Sequence, residues 1–232
     1  MPTSKTSCLN RFYDLLGELE EKVGGRRRLG NCHGRMDWPE RGVYFFFDPG
    51  EARTIKPSSP RVVRVGTHAL KTNSKSTLWG RLRQHRGATT SGGGNHRGSV
   101  FRLLVGDAIG RQNPELMPER WGRGQSAPRA IRDTEHPHEA RVSKYLADLT
   151  VLFADVPDAS GPDSMRGIIE RNAIALLSGY CEPSPDKPCL GWLGRHSARE
   201  KVRRSGLWNN RHVEEGYDPA FLDHFEKLVK AL

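Results

Sequence analysis

Hydrophobic positions along the first half of the chain change from a helical to a strand-like pattern. Residues 7–23 place their apolar side chains along one side of a helix that Gly24-Gly25 would end: Leu9, Phe12, Leu16 and Leu19. Residues 42–48 are instead dense in β-forming side chains and run into Pro49-Gly50, and residues 61–66 form a second such run. A helix followed by an antiparallel hairpin is the simplest arrangement.

The second half of the chain predicts further elements. Ser76 or Thr77 can cap a helix over 78–86 that Gly87 stops, whereas residues 99–109 fit either a short helix or a strand. The remaining elements are helices over 139–148 and 164–178, a third strand over 150–156, and helices near 197–204 and from about residue 219. This order predicts a mixed α/β (α+β) fold, in which helices flank a small, three-stranded, mainly antiparallel sheet.

The length of 232 residues favours one domain over two. Three segments look like additions to a smaller core: an N-terminal helical extension over 1–40, an insertion over 88–149 and a C-terminal extension over 179–232. The insertion is basic, rich in Gly and Pro, and includes one helix. Its part from 110 to 138 is expected to lie outside the core.

Charge points to a polyanionic partner. The chain has 37 Lys and Arg against 27 Asp and Glu, a net charge of +10, and neutralising phosphates releases condensed counterions. No long apolar run or apolar leader is present, so we expect a cytoplasmic protein without a membrane partner. The four cysteines fit reduced thiols, and Cys181 and Cys189, with His196 beyond them, lack the close spacing of zinc sites, which argues against a structural metal there.

Two polar residues border the apolar stripe of the helix over 78–86. At 100° per residue, His85 falls about 20° and Arg81 about 60° from Leu78, which with Leu82 defines that stripe. The two side chains can therefore address one ligand together. The alternative is an arginine that extends to solvent and a histidine that caps the helix end.

A carboxylate lies among apolar neighbours on the helix over 164–178. Glu170 falls about 40° from Ile174 and about 20° from Leu177, where an unpaired carboxylate is costly. It either pairs with a cation such as Arg81 or Arg166, or it binds a metal ion. On the first strand, Tyr44 is either a core aromatic or a group that orients and deprotonates water.

Together these residues resemble the GIY-YIG endonuclease family. Gly42-Val43-Tyr44 matches the GIY element, Leu78-x-x-Arg81-Leu82-x-x-His85 is similar to the helix that carries the family's arginine and histidine, and Glu170 falls where the family has its metal-ligating glutamate. Either Asn209 or Asn210 resembles the downstream asparagine. The resemblance covers roughly 42–87 and 150–210, and leaves 88–149 as an atypical insertion.

The chain departs from the family pattern at the second half-motif. Arg64-Val65-Gly66 stands where Tyr-Ile-Gly is expected, so the strand and its glycine are kept but the second tyrosine is absent. His85, acting with Tyr44, is the natural substitute in water activation. His68 and Lys71 are the alternatives.

The resemblance implies a metal-dependent DNA endonuclease with Mg²⁺ (or Mn²⁺) on Glu170, and a restriction or defence role is the expectation that goes with it. Its catalytic residues are then Tyr44, Arg81, His85, Glu170 and Asn209. DNA would also contact basic residues, namely Arg64, Lys71, Arg83, Arg86 and Arg97. A palindromic target would call for a homodimer or successive nicking. Two other hypotheses remain open: a nucleic-acid-binding module that has lost catalysis, and a basic structural protein with coincidental motifs.

Overall fold

The computed structural model describes residues 4–232 and combines seven helices with four strands in that part of the chain. The helices are α1 (Lys5–Lys22), α2 (Leu78–Arg86), α3 (Val100–Gln112), α4 (Arg129–Asp148), α5 (Met165–Leu177), α6 (Glu200–Ser205) and α7 (Phe221–Ala231). The strands are β1 (Arg27–Arg28), β2 (Gly42–Ala52), β3 (Pro60–Gly66) and β4 (Thr150–Asp155). A single turn of 3₁₀ helix over His96–Gly98 precedes α3.

All strand pairs in the sheet are antiparallel, in the order β1-β4-β2-β3. The mixed α/β class and the β2–β3 hairpin predicted from the sequence are confirmed, but the predicted three strands are four. The additional strand is Arg27–Arg28, which pairs with Val151 and Thr150 of β4. Two arginines have no apolar alternation, so the hydrophobic pattern carries no signal for β1.

The two faces of the sheet have separate cores. On β2, Val43, Phe45 and Phe47 pack in a cluster with α1, α5 and α7. Tyr44 and Phe46 point the other way, into a cluster with α2, α3 and α4. Helices α2 and α5 therefore lie on opposite faces, so their polar side chains can meet only around an edge of the sheet.

The helix that carries Arg81 and His85 has the predicted ends. Thr77 is the N-cap, and its Oγ1 accepts a hydrogen bond of 3.1 Å from the Gly80 N–H. Gly87 closes α2 with φ +83°, a left-handed conformation that favours glycine. The ambiguous segment at 99–109 is helical, as α3, and the helix predicted over 139–148 begins at Arg129 instead.

Part of the segment expected to lie outside the core belongs to it. Trp121 and His138 are buried, and Trp121 packs in the same cluster as Tyr44 and Phe46. The fully buried guanidinium of Arg102 on α3 donates to Glu139 of α4. A buried charge needs such pairing, so the contact ties the two helices together. The limits of the insertion, 88–149, stay a prediction. Within residues 4–232, no helix has the length and apolar character needed to cross a membrane.

Candidate active site

A cavity of about 580 Å³ lies where β3 ends at the edge of the sheet. Its lining collects side chains from both faces, including Arg81 of α2 and Glu170 of α5. Further lining residues that the sequence singled out are Arg64, His68, Lys71, Asn209 and Asn210. A second cavity, of about 660 Å³, lies beside the β2–β3 hairpin and holds none of the predicted catalytic residues. The first cavity is therefore the candidate site.

Behind the cavity, three buried side chains form a hydrogen-bonded row. The hydroxyl of Tyr44 and Nε2 of His85 share a hydrogen bond of 2.8 Å, and Nδ1 of His85 shares one of 2.7 Å with Oγ of Ser99. Tyr44 and His85 have no exposed surface, and Ser99 has almost none. His85 is thus held between two hydroxyls, and the alternative in which it caps the end of α2 is wrong.

The imidazole of His85 is held in its neutral form. Burial lowers its pKa well below the usual value, and the nearby cations Arg81, Arg64 and Arg102 lower it further. A neutral imidazole has one donor and one acceptor nitrogen. Consequently His85 accepts from one of its two hydroxyl partners and donates to the other.

Gly66 makes room for the tyrosine ring. It is the cross-strand partner of Tyr44, and a Cβ at this position would lie 2.4 Å from the Tyr44 hydroxyl oxygen. No side chain fits there. This contact gives a physical reason for the glycine of the second half-motif, and it fixes the hydroxyl near the end of β3.

Arg64 occupies the position of the absent second tyrosine. It pairs with Phe46 across the strands, on the same face of the sheet as Tyr44, and its guanidinium donates to the Trp208 carbonyl. Its Nε is buried without a hydrogen-bond partner among the described residues. Burial lowers the pKa of Arg64, an effect that Tyr44 and Glu170 oppose. The substitution therefore puts a cation where the family has a phenol.

Arg81 reaches the cavity from α2. Its guanidinium donates to Gln84 Oε1 at 2.9 Å and to the Gly98 carbonyl at 3.2 Å, and it has no ion pair with any described carboxylate. The partners are neutral, so its charge is available to an anion in the cavity.

Glu170 approaches from α5, around the sheet edge. Its Oε1 accepts a hydrogen bond of 3.1 Å from the Thr67 N–H, just after β3. Burial raises the pKa of this carboxyl group, while Arg64, His212, the Thr67 N–H and Arg81 oppose the rise. The ion pair considered from the sequence is not formed, because Arg166 pairs with Asp158 and Arg81 with neutral groups.

The downstream asparagine is bonded to β3. The side chain of Asn209 brackets Val65: its Oδ1 accepts from the Val65 N–H at 3.2 Å, and its Nδ2 donates to the Val65 carbonyl at 2.9 Å. Asn209 is buried, whereas the neighbouring Asn210 is partly exposed, and both line the cavity. Asn209 thus secures the chain segment that covers the free edge of β3.

The predicted DNA contacts have different surroundings. Lys71 and Arg83 are exposed, and Lys71 also lines the cavity. Arg86 donates to the Cys32 carbonyl, and Arg97 makes a two-pronged ion pair with Glu135 at 2.6 and 2.8 Å. The last two side chains hold the structure together in addition to any role in binding, and the DNA contacts stay predictions.

Two hydrogen-bonding residues of the site were not found from the sequence. Ser99 is the N-cap of α3, and Thr67 both donates to the Gly42 carbonyl through Oγ1 and presents its N–H to Glu170. A serine before a helix signals a cap, but the contact between Ser99 and His85 depends on how α3 packs on α2. No local pattern contains that information.

The residues at Glu170 fit a single divalent cation bound partly by water and phosphate. Among residues 4–232, Oε1 of its carboxylate accepts from the Thr67 N–H and Oε2 has no hydrogen-bond partner, so Oε2 is available to a cation. Residues 4–232 offer no group of three or more His, Cys, Asp or Glu side chains placed to hold a metal. Mg²⁺ suits such a site, because it usually keeps several waters and takes one or two carboxylates plus substrate phosphates.

A family model described as the GIY-YIG domain matches residues 3–232, almost the whole chain. The chain therefore belongs to the GIY-YIG family of nuclease domains. Comparison with curated proteins gave no significant match, and neither did comparison with solved structures. Membership implies a nuclease, that is, a phosphodiester hydrolase that binds nucleic acid, and nucleases of this family generally use divalent metal ions.

Proposed function

We propose that this protein is a DNA endonuclease that uses Mg²⁺ or Mn²⁺, with a restriction or defence role. The observation that carries the proposal is the convergence of Arg81, Glu170 and Asn209 on one cavity, backed by the Tyr44–His85 hydrogen bond. A net charge of +10 suits a polyanionic duplex. This convergence also argues against a structural protein with coincidental motifs. A cytoplasmic location and a homodimer stay predictions.

In the proposed reaction, Tyr44 activates the attacking water. Tyr44 has no exposed surface in this structure, so this step requires that substrate binding opens the cavity as far as its hydroxyl. Its hydroxyl gives its proton to Nε2 of His85, and the phenolate oxygen takes a proton from water as water attacks phosphorus. This direction requires the tautomer in which His85 donates from Nδ1 to Ser99. The imidazolium and phenolate that form first are a neutral pair. Once the phenolate has taken the proton from water, the pair carries the positive charge of the imidazolium, which the anionic phosphate in the cavity balances.

Arg81 and Arg64 stabilise the charge that develops on the phosphate in the transition state. Burial is the main reason why the pKa of His85 is lowered, and the same two cations lower it further. A bound phosphate offsets their charge and so raises the basicity of His85. Proton transfer to His85 is therefore less unfavourable when substrate is bound than when the cavity holds no anion, although burial of the ring still opposes it.

Glu170 is proposed to hold the divalent cation through the free oxygen of its carboxylate. When bound there, the cation supplies charge stabilisation to the leaving 3′-oxygen. The Thr67 N–H fixes the other carboxylate oxygen, which orients Glu170 toward the cavity. Asn209 keeps the covering segment in place.

A second candidate is a nucleic-acid-binding module that has lost catalysis. Two observations favour it: Arg64 replaces the second tyrosine, and neither Tyr44 nor His85 has surface exposed to the cavity. In this alternative, the cavity binds a backbone phosphate through Arg64 and Arg81 without hydrolysing it.

Incubation with supercoiled plasmid separates the two candidates. The endonuclease is expected to nick or linearise plasmid with Mg²⁺ or Mn²⁺ and to be inactive in EDTA. Glu170→Gln should abolish cleavage while duplex affinity in EDTA is kept, because the amide still accepts from Thr67 but binds cations poorly. Salt-sensitive binding by the unchanged protein, without cleavage under any metal condition, would establish the module instead. The same cleavage and binding measurements with RNA in place of plasmid show whether the substrate is DNA or RNA.

A further inference from the structure

A smaller cavity on the inserted segment, of about 180 Å³, has a strongly basic lining. Arg97, Arg120 and Arg123 line it together with Ser126 and the first turn of α4. Arg97 is neutralised by Glu135, but no carboxylate of residues 4–232 lies within ion-pair distance of Arg120 or Arg123. Two exposed cations without a partner thus face one small recess.

The backbone at this recess also presents donors to an anion. Helix α4 has 20 residues, its N-cap is Pro128, and no side chain caps it. The first N–H groups of a helix have no intrahelical partners and carry the positive end of the helix dipole. The first turn of α4 contains no acidic residue that would satisfy them. Within the lining, Nε of the nearly buried Arg97 side chain also lacks a partner among the described residues.

The recess is mechanically tied to the active-site cavity. The segment that carries Arg120 and Arg123 is fixed to the 3₁₀ turn at 96–98: Arg97 donates to the Arg123 carbonyl, and the Gly122 N–H donates to Nε2 of His96. Trp121 packs against His96, with ring centroids 4.0 Å apart and the ring planes tilted by 31°. The same turn ends at Gly98, whose carbonyl accepts from Arg81 in the active site.

We infer that this recess is a second phosphate-binding site, which holds a backbone phosphate of the DNA duplex beside the strand being cleaved. The inference rests on the proposed function for its ligand. Arg120 and Arg123 supply the charge, and the N–H groups at the start of α4 supply fixed donors. The connection through residues 96–98 is rigid, so it fixes the distance between this phosphate and the phosphate bound at Arg81.

The test is duplex binding in EDTA, where cleavage cannot contribute. A short fluorescein-labelled duplex is titrated by anisotropy at several KCl concentrations, with the Arg120→Ala/Arg123→Ala variant beside the unchanged protein. The control is Lys56→Ala/Lys187→Ala, which removes two exposed charges beside the hairpin at the opposite end of β3. Thermal melting checks that all three proteins are folded.

In the Arg120→Ala/Arg123→Ala variant, the slope of log K against log [KCl] is expected to be smaller in magnitude by about 1 to 2. The affinity of this variant for the duplex should be about tenfold lower or more. The Lys56→Ala/Lys187→Ala variant should have the same slope as the unchanged protein. Equal slopes and affinities for the two double variants would overturn the second site. If the unchanged protein does not cleave plasmid, but the arginine variant changes the slope and the lysine variant does not, the nuclease proposal fails and the phosphate site stands.

Calorimetric titration with inorganic phosphate distinguishes the source of the ligand. A site for backbone phosphate should bind free phosphate at most weakly and show its main effect with the duplex. If free phosphate binds the unchanged protein and not the arginine variant, while duplex binding is the same for both, the recess is a small-anion site and the inference is wrong.

Discussion

Tyr44 and His85 share a hydrogen bond of 2.8 Å although 41 positions separate them in the sequence. Tyr44 comes from the central strand β2 and His85 from the last turn of α2, and both are fully buried. A polar pair completely shielded from water must satisfy its own hydrogen bonds, which makes its geometry rigid.

The first prediction concerns the Tyr44 hydroxyl. Tyr44→Phe keeps the ring but removes the proton donor, so the cleavage rate is expected to fall about 10²- to 10⁴-fold. Duplex affinity in EDTA should stay within a factor of a few. Plasmid nicking rates measure the effect. Tyr180→Phe is the control, because Tyr180 packs against the core on the opposite face of the sheet from Tyr44. A Tyr44→Phe enzyme of normal rate would exclude Tyr44 as the base.

The second prediction assigns Ser99 a positioning role. Ser99→Ala removes the partner of His85 Nδ1 and the cap of α3 together, so a loss of about 1 kcal/mol in unfolding free energy is expected in any case. The effect specific to Ser99 is on the dependence of the cleavage rate on pH. The part of this profile that reports the protonation of His85 should shift, because the Ser99 hydroxyl no longer fixes the tautomer of His85.

Ser164→Ala is the matched control for Ser99, since its Oγ caps α5 in the same way without touching a histidine. It should lose similar stability and keep the pH profile. Ser99→Thr, which keeps both the hydroxyl and the cap, should restore the profile. Identical profiles for Ser99→Ala and Ser164→Ala would reduce Ser99 to a cap.

The third prediction concerns the close approach at Gly66. Gly66→Ala would place a methyl group 2.4 Å from the Tyr44 ring, so the tyrosine or the strand must move. Overpacking of this kind costs about 1–3 kcal/mol, and displacement of Tyr44 should also reduce cleavage. Urea unfolding and nicking rates measure both. Gly161→Ala, where a Cβ meets nothing within 4 Å, should change neither.

The fourth prediction concerns metal binding at Glu170. A cation that binds only the folded protein raises its stability, by about 2.7 kcal/mol at a concentration 100 times Kd. Thermal melting with Mg²⁺ or Mn²⁺ should therefore show a higher Tm than in EDTA, and Glu170→Gln should remove the difference. An equal rise in both proteins would place the metal elsewhere.

The fifth prediction is a loss of stability at mildly acid pH. Burial lowers the pKa of His68 to about 4, and its Nδ1 is bonded to the Ser76 carbonyl at 2.9 Å. The unfolded chain has a histidine pKa near 6.5, so it takes up a proton first as the pH falls. This contribution is complete above about pH 6.5 and is lost between there and pH 4, at up to about 1.4 kcal/mol per pH unit.

Urea unfolding between pH 7 and 4.5 measures this slope. His68→Asn keeps a donor to Ser76 without a titrating ring, and it should make the pH dependence shallower. The buried His85 and His138, whose pKa values are also lowered, act in the same direction and stay in the variant. An unchanged slope in His68→Asn would show that His68 does not titrate in this range.

The sequence by itself determined the helices and strands in which apolar residues recur with a clear period. It also determined which residue types carry the chemistry. Alternation along β2 separated Tyr44 from Val43 and Phe45, and the cap at Thr77 and the stop at Gly87 bounded α2. The sequence did not predict the two-residue strand β1, and it did not decide whether 99–109 is a helix or a strand. Neither segment has a periodic apolar pattern of its own.

Tertiary structure alone decided which of these residues meet. Arg81 and Glu170 belong to helices on opposite faces of the sheet, and they reach one cavity only because β3 is an edge strand. The bond from Ser99 to His85 likewise depends on how α3 packs against α2. Local propensity acts over a few residues, whereas these contacts join positions 14 to 103 residues apart. Only burial of the two cores brings such positions together.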